Sequence, residues 1–285
     1  MFGFLNVYKP KGLTSHDVVA RLRRITKIKQ IGHTGTLDPF AQGVLPVCIG
    51  KATRLIEYLA DDKAYEGVIQ FGVSTTTYDT EGDVVSSSKN KVSAVDVEKA
   101  LSSFRGEIEQ KPPIYSAIKK DGKKLYEYAR KGEEVEIPTR KVEIYRLELL
   151  NFEEEKQQAR IYIECSKGTY IRSIANDVGQ VLGVYGHLIE LLRVKAGMFE
   201  LSETCDLDNL DNAKVQERLL NPLMVLDFAQ QELLEKDLIK VKNGMKLPTP
   251  TFNEGEFVLL TYKGNLASVA QVENAYFVQK KVFID

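Results

Sequence analysis

Period-two and period-3.6 apolar patterns follow one another along this chain in no regular order, and that irregularity limits the fold more than any other feature. Residues 15–26 open with Ser15 as the expected N-cap, and Val18, Val19, Leu22 and Ile25 then fall at helical spacing. Residues 65–73 alternate instead, with Tyr65, Ile69, Phe71 and Val73 on one strand face, and a turn is expected at Asp79-Thr80-Glu81-Gly82. Residues 93–104 predict a helix: Ser93 caps it, Asp96 takes the capping-box position, Val92 and Val97 staple it, and Gly106 suits its stop. Pro112-Pro113 forces an extended segment. Residues 159–165 alternate, with Ile161, Ile163 and Cys165 on one face. A helix is then expected from about Thr169 to Leu182, striped by Ile171, Ile174, Val178, Val181 and Leu182. An acidic, helical stretch at 207–236 precedes a tail that reads, from about Leu238, as short strands (FVLLTY, LASVAQV, AYFVQKKVFI). No alternation is regular enough for a Rossmann or barrel fold, so the expected class is α+β. With 285 residues, a large domain over 1–230 and a small β-rich one over 231–285 are expected.

Composition removes several functions. No apolar run reaches 18 residues, so no membrane span is expected, and Lys9 and Pro10 interrupt the N-terminus before a signal-peptide core can form. Cys48, Cys165 and Cys205 lie far apart without a CxxC, which fits a reducing cytoplasm and gives neither a disulfide framework nor a cysteine zinc site. His16, His33 and His187 form no HExxH, and no metal is expected. The net charge is −1, but it is segregated. Residues 1–60 carry a balance of +6, residues 111–132 one of +5, and residues 201–237 one of −6. A basic face can thus meet a polyanion while the total stays near zero.

Three segments could carry chemistry. In Gly32-His33-Thr34-Gly35-Thr36-Leu37-Asp38-Pro39, two glycines three apart make a tight loop that lets a ligand approach the backbone. Asp38 there reads either as a functional carboxylate or as the N-cap of a helix over 39–45 with Pro39 at N1, and the two readings are compatible. The loop is not a phosphate-binding P-loop, because Gly50-Lys51 is followed by Ala52 and position 45 is Leu45. Ser166-Lys167-Gly168-Thr169-Tyr170-Ile171-Arg172 marks a strand-to-helix junction suited to an anion. Arg172 lies in the first helical turn, where the dipole disfavours a cation, so a partner carboxylate is expected, with Asp38 a candidate. The third segment, Lys111 to Arg130, leads from a rigid diproline into Lys119, Lys120, Lys123 and Lys124 and a helix with Tyr126 and Tyr128. Lysines interleaved with aromatics suit an RNA backbone.

The strings GHTGTLDPFAQGVLPVCIGKATRL (32–55), STTTYDTEGD (74–83), KPPIYSAIKKDGKKLYEYAR (111–130) and CSKGTYIRSIANDVGQVLG (165–183) occur in this order. Together they resemble the bacterial TruB family, the tRNA pseudouridine synthases that modify uridine 55 in the T-loop, over roughly residues 2–200. The resemblance implies a pseudouridine synthase fold: a mixed, largely antiparallel central sheet flanked by helices, then a small C-terminal PUA-like β domain that binds RNA. It also implies that Asp38 is the catalytic aspartate and Arg172 the arginine paired with it. Tyr65 would stack on the target base, with Tyr170 a second pocket tyrosine and Leu191 an apolar pocket residue, while His33 would enter the T-loop and help to extrude the base. One departure is Leu191-Leu192-Arg193, where members often have Leu-Arg-Arg. The partner implied is the T-arm of tRNA, with no guide RNA, and a monomer is expected.

The residues suit that reaction on chemical grounds. Pseudouridylation breaks the N1–C1′ bond, turns the uracil and joins C5 to C1′, an isomerisation that needs no cofactor. One carboxylate can act as nucleophile at C1′ or C6, or as base at C2′. A guanidinium beside it keeps it ionised and oriented. A catalytically dispensable tRNA-binding or tRNA-folding chaperone on the same fold is the alternative, and a guide-RNA-dependent synthase is a further one. Intact Asp38 and Arg172 count against the first, and the uninterrupted insert at 85–130 and the short tail against the second.

Overall fold

The computed structural model describes residues 1–133, 135–249 and 251–284. Among them, eight strands form the path of one sheet in the order Cys205–Asp206, Gly3–Lys9, Gln42–Ile49, Gly186–Ala196, Lys63–Phe71, Gln158–Cys165, Arg140–Glu153, Gly106–Gln110. Ile31–His33 adds to Gln42–Ile49, and Phe199–Glu200 to Gly186–Ala196. Only the Gly3–Lys9/Cys205–Asp206 and Gln42–Ile49/Gly186–Ala196 pairings along it are parallel, so the sheet is mixed and largely antiparallel, as expected. The helices Ala94–Ser102 and Ile171–Val181 bury Val97, Leu101, Ile171, Ile174 and Val178 against Ile69, Ile144, Leu147, Ile161 and Ile163. Ser15–Thr26 packs Val18, Val19 and Leu22 against Leu5, Val7, Leu45 and Val47. The class is α+β.

Five strands form a second sheet: Ala229–Glu232, Phe257–Tyr262, Asn265–Glu273, Tyr276–Val282 and Leu247–Pro248. It has its own core around Val241, Val258, Leu260 and Val272. It also shares one with the large sheet, where Leu259, Leu266, Val269 and Phe283 meet Phe4, Val44 and Ala196. Phe2 and Phe283 stack at 5.2 Å across this junction.

Several local expectations are corrected. Thr14, not Ser15, caps the first helix, because Asp17 stands three residues after Thr14 and returns its N–H bond in a capping box. No helix forms over 39–45. Gln42–Ile49 is instead a strand buried along nearly its whole length, as its continuous apolar run demands between two neighbouring strands. Its Gly43 takes φ +107°, and a Cβ there would meet the Arg193 carbonyl oxygen at 2.3 Å, so the strand can approach its neighbour only as glycine. Gly106 does not end the helix before it, which stops at Ser102; its φ of +86° starts the next strand. Gly72 likewise breaks the alternating run, leaving Val73 in the separate strand Val73–Thr75. Val181, the last residue of its helix, is exposed rather than part of the buried stripe. The tail begins with the helix Glu235–Lys242 rather than a strand at Leu238, and Ala229–Glu232 is a strand inside the stretch read as helical. That strand pairs with Phe257–Tyr262, so the second sheet starts ahead of residue 231.

Candidate active site

Asp38 sits on the loop between Ile31–His33 and Gln42–Ile49, two strands that pair with each other and pin both ends. Every carbonyl from 35 to 39 has a donor. Arg193 Nη2 donates to Gly35 O (3.2 Å) and Nη1 to Thr36 O (3.3 Å). Ser15 Oγ donates to Leu37 O (3.1 Å) and accepts from Leu37 N–H (2.8 Å). Ala41 N–H reaches Asp38 O (3.1 Å), and Gly12 N–H reaches Pro39 O (2.7 Å). Lys9 Nζ adds a longer bond to Pro39 O (3.4 Å) and stronger ones to Leu13 O and Pro10 O. A glycine-bracketed loop that would otherwise be mobile is held on each side of the carboxylate.

Arg172, 4% exposed, joins this loop to two other segments. Its Nε lies 2.9 Å from Asp38 Oδ2, an ion pair whose N–H is not aligned for a hydrogen bond. Its Nη1 lies 3.2 Å from Asp79 Oδ2 and donates to Thr77 O (3.0 Å), and its Nη2 donates to Tyr115 O (3.1 Å). Arg172 therefore serves two carboxylates. Asp79 is buried and further held by the Thr77 hydroxyl and Glu81 N–H. Tyr78 takes φ +62°, unusual for a side chain of that size, and the chain reverses there as Asp79 turns inward. Burial raises the Asp38 carboxyl above the ordinary range; Arg172 opposes that rise and Asp79 adds to it. Burial and Asp79 push Glu81 up as well.

Around this ion pair is a cavity of about 640 Å³ lined by Asp38, Tyr65, Asp79, Tyr170, Arg172 and Leu191, among others. Tyr65 is 7% exposed, and burial pushes its phenol up to about 12. Gln110 clamps the backbone of Tyr170 from both sides, accepting from its N–H (2.8 Å) and donating to its carbonyl (3.0 Å). The Arg140 guanidinium covers the Tyr170 ring at 4.7 Å. Tyr115, Tyr126 and Arg130 of the lysine-rich segment line the same cavity. Beside them Lys119–Lys120 and Lys123–Lys124 form a hairpin whose turn, Asp121 (φ 51°) and Gly122 (φ 80°), has the left-handed pair a tight hairpin requires. Lys123 and Lys119 are exposed; Lys120 bonds Glu136 O, and Lys124 lies over the Tyr126 ring.

The structure thus brings Asp38, Tyr65, Tyr170, Arg172 and Leu191 into one cavity. His33 lies outside its lining, half-buried at a strand end, with Nδ1 unpartnered and its pKa lowered by burial and Arg193. Four residues that position the site escaped the sequence reading as site residues: Asp79, Arg193, Lys9 and Gln110. For Asp79 the clue was three consecutive threonines, Thr75–Thr77, ahead of an acid in a turn; for the other three the sequence carries no local signal.

A family model described as TruB family pseudouridylate synthase (N terminal domain) matches residues 23–171, and one described as tRNA pseudouridylate synthase B C-terminal domain matches 172–227. The tRNA pseudouridine synthase B of Geobacillus thermodenitrificans is 44% identical over 264 residues, covering 88% of this chain and 87% of that protein. Its namesake from Staphylococcus aureus is 46% identical over 271 residues, covering 90% and 86%. Among solved structures, a Cbf5-Nop10-Gar1 complex contains a chain that matches with a TM-score of 0.72 and 25% identity, over 99% of this chain and 85% of that one. An H/ACA ribonucleoprotein bound to a substrate RNA containing 2′-deoxyuridine matches with a TM-score of 0.71 and 23% identity, over 100% and 86%.

Proposed function

The chain belongs to the TruB family of pseudouridylate synthases, and from that premise and the Asp38 cavity we propose that it isomerises uridine 55 in the T-loop of tRNA to pseudouridine, alone and as a monomer. The observation that carries the reading is one partly open carboxylate, Asp38, held against a buried guanidinium beside an aromatic platform.

The target base is flipped out of the T-loop, which costs about a few kcal/mol. Stacking on Tyr65 returns roughly 1–3 kcal/mol. Leu191 and Tyr170 close the apolar walls, and His33, outside the cavity, takes the position the base has left. Asp38 keeps about a third of its side chain open to the cavity, so its carboxylate can reach a reacting atom. It acts as nucleophile at C1′ or C6, or as base toward C2′. The N1–C1′ bond breaks, the ring turns, and C5 joins C1′; the C5 proton leaves and N1 gains one, so no atom is exchanged overall except protons. Arg172 opposes the burial that would protonate Asp38, and Asp79 keeps Arg172 in place. Lys119, Lys120, Lys123 and Lys124 meet the RNA backbone, and the second sheet adds a further RNA-binding surface.

Two points support a stand-alone enzyme of the cytoplasm. Identity is 44–46% to proteins named tRNA pseudouridine synthase B and 23–25% to chains from guide-type complexes. Among the described residues, no helix is long and apolar enough to cross a membrane. The test is to incubate the purified chain with a bare T-stem-loop transcript and map pseudouridine. Conversion at the T-loop position is expected, and none with Asp38→Asn, which still binds. No conversion by the wild-type chain, or turnover by Asp38→Asn above the no-enzyme background, overturns the reading.

A further inference from the structure

A second cavity, of about 920 Å³, lies between the two sheets and is lined by Thr34, Tyr58, Met198, Met224, Phe228 and Phe257, among others. One residue, Lys63, lines both this cleft and the Asp38 cavity. On the facing loop the division falls between Thr34, in the cleft, and Gly35, in the Asp38 cavity. Lys63 and residues 34–35 are therefore the ridge that separates the two spaces.

Lys63 is two residues before Tyr65 on the same strand, so both side chains leave the same face, about 7 Å apart along it. Lys63 is half-buried. Nζ donates to Asp61 O at 2.8 Å, and among the described residues no carboxylate lies within ion-pair distance of it. The neighbouring acids are engaged elsewhere: the Asp61 carboxylate pairs with Lys167 at 3.0 Å, and Asp62 accepts from the Tyr145 hydroxyl at 3.2 Å. Burial and the nearby Arg193 lower the Lys63 pKa. A partly desolvated cation with one carbonyl partner is an incompletely satisfied charge.

We propose that Lys63 binds a backbone phosphodiester flanking the flipped uridine, at the ridge between the Asp38 cavity and the inter-sheet cleft. The inference rests on the functional reading above and adds to it the place where the strand crosses. A base stacked on Tyr65 brings its own backbone to the mouth of the Asp38 cavity, and the strand must leave that cavity past a wall. On the Lys63 side, the wall offers an ammonium that lacks an anion. The phosphodiester supplies that anion, and its charge raises the affinity of Lys63 for its proton. Unlike the exposed lysine hairpin, Lys63 is fixed on a central strand, so it sets the register of the strand as well as attracting it.

The test pairs protein and RNA changes and reads binding separately from product. Lys63→Met and Lys63→Arg are compared with wild type on a T-stem-loop RNA, and on the same RNA with a neutral methylphosphonate at the phosphate 5′ or 3′ of the target uridine. Lys63→Met is expected to raise the Kd roughly tenfold and to reduce the salt slope by about one, with Lys63→Arg recovering most of both. One of the two methylphosphonates is expected to weaken wild-type binding to a similar degree and to cost Lys63→Met nothing further. Unchanged affinity and slope for Lys63→Met, or equal losses from the methylphosphonates in both proteins, overturn the proposal. Were Lys63→Met to misfold, full wild-type affinity for both methylphosphonate RNAs overturns it equally. A wild-type chain that binds but forms no pseudouridine overturns the functional reading instead, and the binding arm still reports on this contact.

Discussion

Two buried arginines meet the same eight-residue loop and do opposite work. Arg172 reaches the Asp38 carboxylate and a second one, Asp79. Arg193, with no exposed surface, donates to carbonyls, Val44 O at 2.6 Å through Nε and Gly35 O and Thr36 O through its terminal nitrogens, and lies beside the Tyr65 phenol. The first acts on the charge of the Asp38 carboxylate and the second on the path of the backbone that carries it. Arg193 also perturbs Tyr65, His33, Lys63 and Lys9, whereas the largest influences on Asp38 are burial, Arg172 and Asp79. The two guanidinia thus differ in what they hold: Arg172 holds carboxylates, and Arg193 holds the backbone.

Substitution can separate the two roles. Arg172→Ala strands two carboxylates; losing one partner of a buried pair typically costs about 3–5 kcal/mol, which lost from the transition state is about 10²–10⁴-fold in rate. Arg172 lowers the Asp38 pKa, so its removal raises that pKa further. Single-turnover rates at saturating RNA are expected to collapse at neutral pH and partly recover as pH rises, with the acid limb moved upward. A near-normal rate would reduce Arg172 to a binding residue.

Arg193→Met leaves three carbonyls without their donor and is expected to cost ~3 kcal/mol in denaturant unfolding. Its rate falls because the loop loosens, but the acid limb stays in place. A limb that moved with Arg193→Met would erase the distinction between the two arginines.

Asp79→Asn comes next, at roughly tenfold in rate, since Arg172 keeps Asp38 but loses its second anchor. Asp79 raises the Asp38 pKa, so its neutralisation moves the acid limb downward, opposite in sign to Arg172→Ala. The smallest effect on chemistry is expected from charge reversal at Lys119, Lys120, Lys123 and Lys124. Kd rises and the salt slope flattens, while the saturated single-turnover rate stays within a few-fold of wild type. A collapsed saturated rate would place the hairpin in the chemistry.

The two arginines also differ in how far the sequence betrayed them. Arg172 stands in a first helical turn, where the dipole makes a cation conspicuous and asks for a partner. Arg193 is a lone arginine in an apolar strand, and its partners are 149 to 158 residues away. Local spacing holds no information about such pairings. Asp79 shows the intermediate case: the turn at 79–82 is legible from composition, but the burial of its acid depends on Arg172, more than ninety residues later. The same limit explains the misread segment after Asp38. Asp-Pro is a strong helix-start signal, and it was overruled by two neighbouring strands that the local pattern does not display. Elements whose signals are local, such as the Ser93 capping box and the three C-terminal strands, were legible from sequence.

The strand Gly186–Ala196 lies in the middle of the large sheet, between Gln42–Ile49 and Lys63–Phe71, yet it is among the last of that sheet to be made. Without it the sheet is two unjoined halves. During synthesis at about 5–20 residues per second, the half built on Gly3–Lys9 and Gln42–Ile49 waits on the order of ten seconds for its neighbour. Arg193 arrives on that same strand, so the Gly35 and Thr36 carbonyls acquire their donor at the moment the halves close. Joining the sheet and setting the Asp38 loop are therefore one folding event, and a nascent chain stopped short of residue 186 holds Asp38 without the frame that aims it.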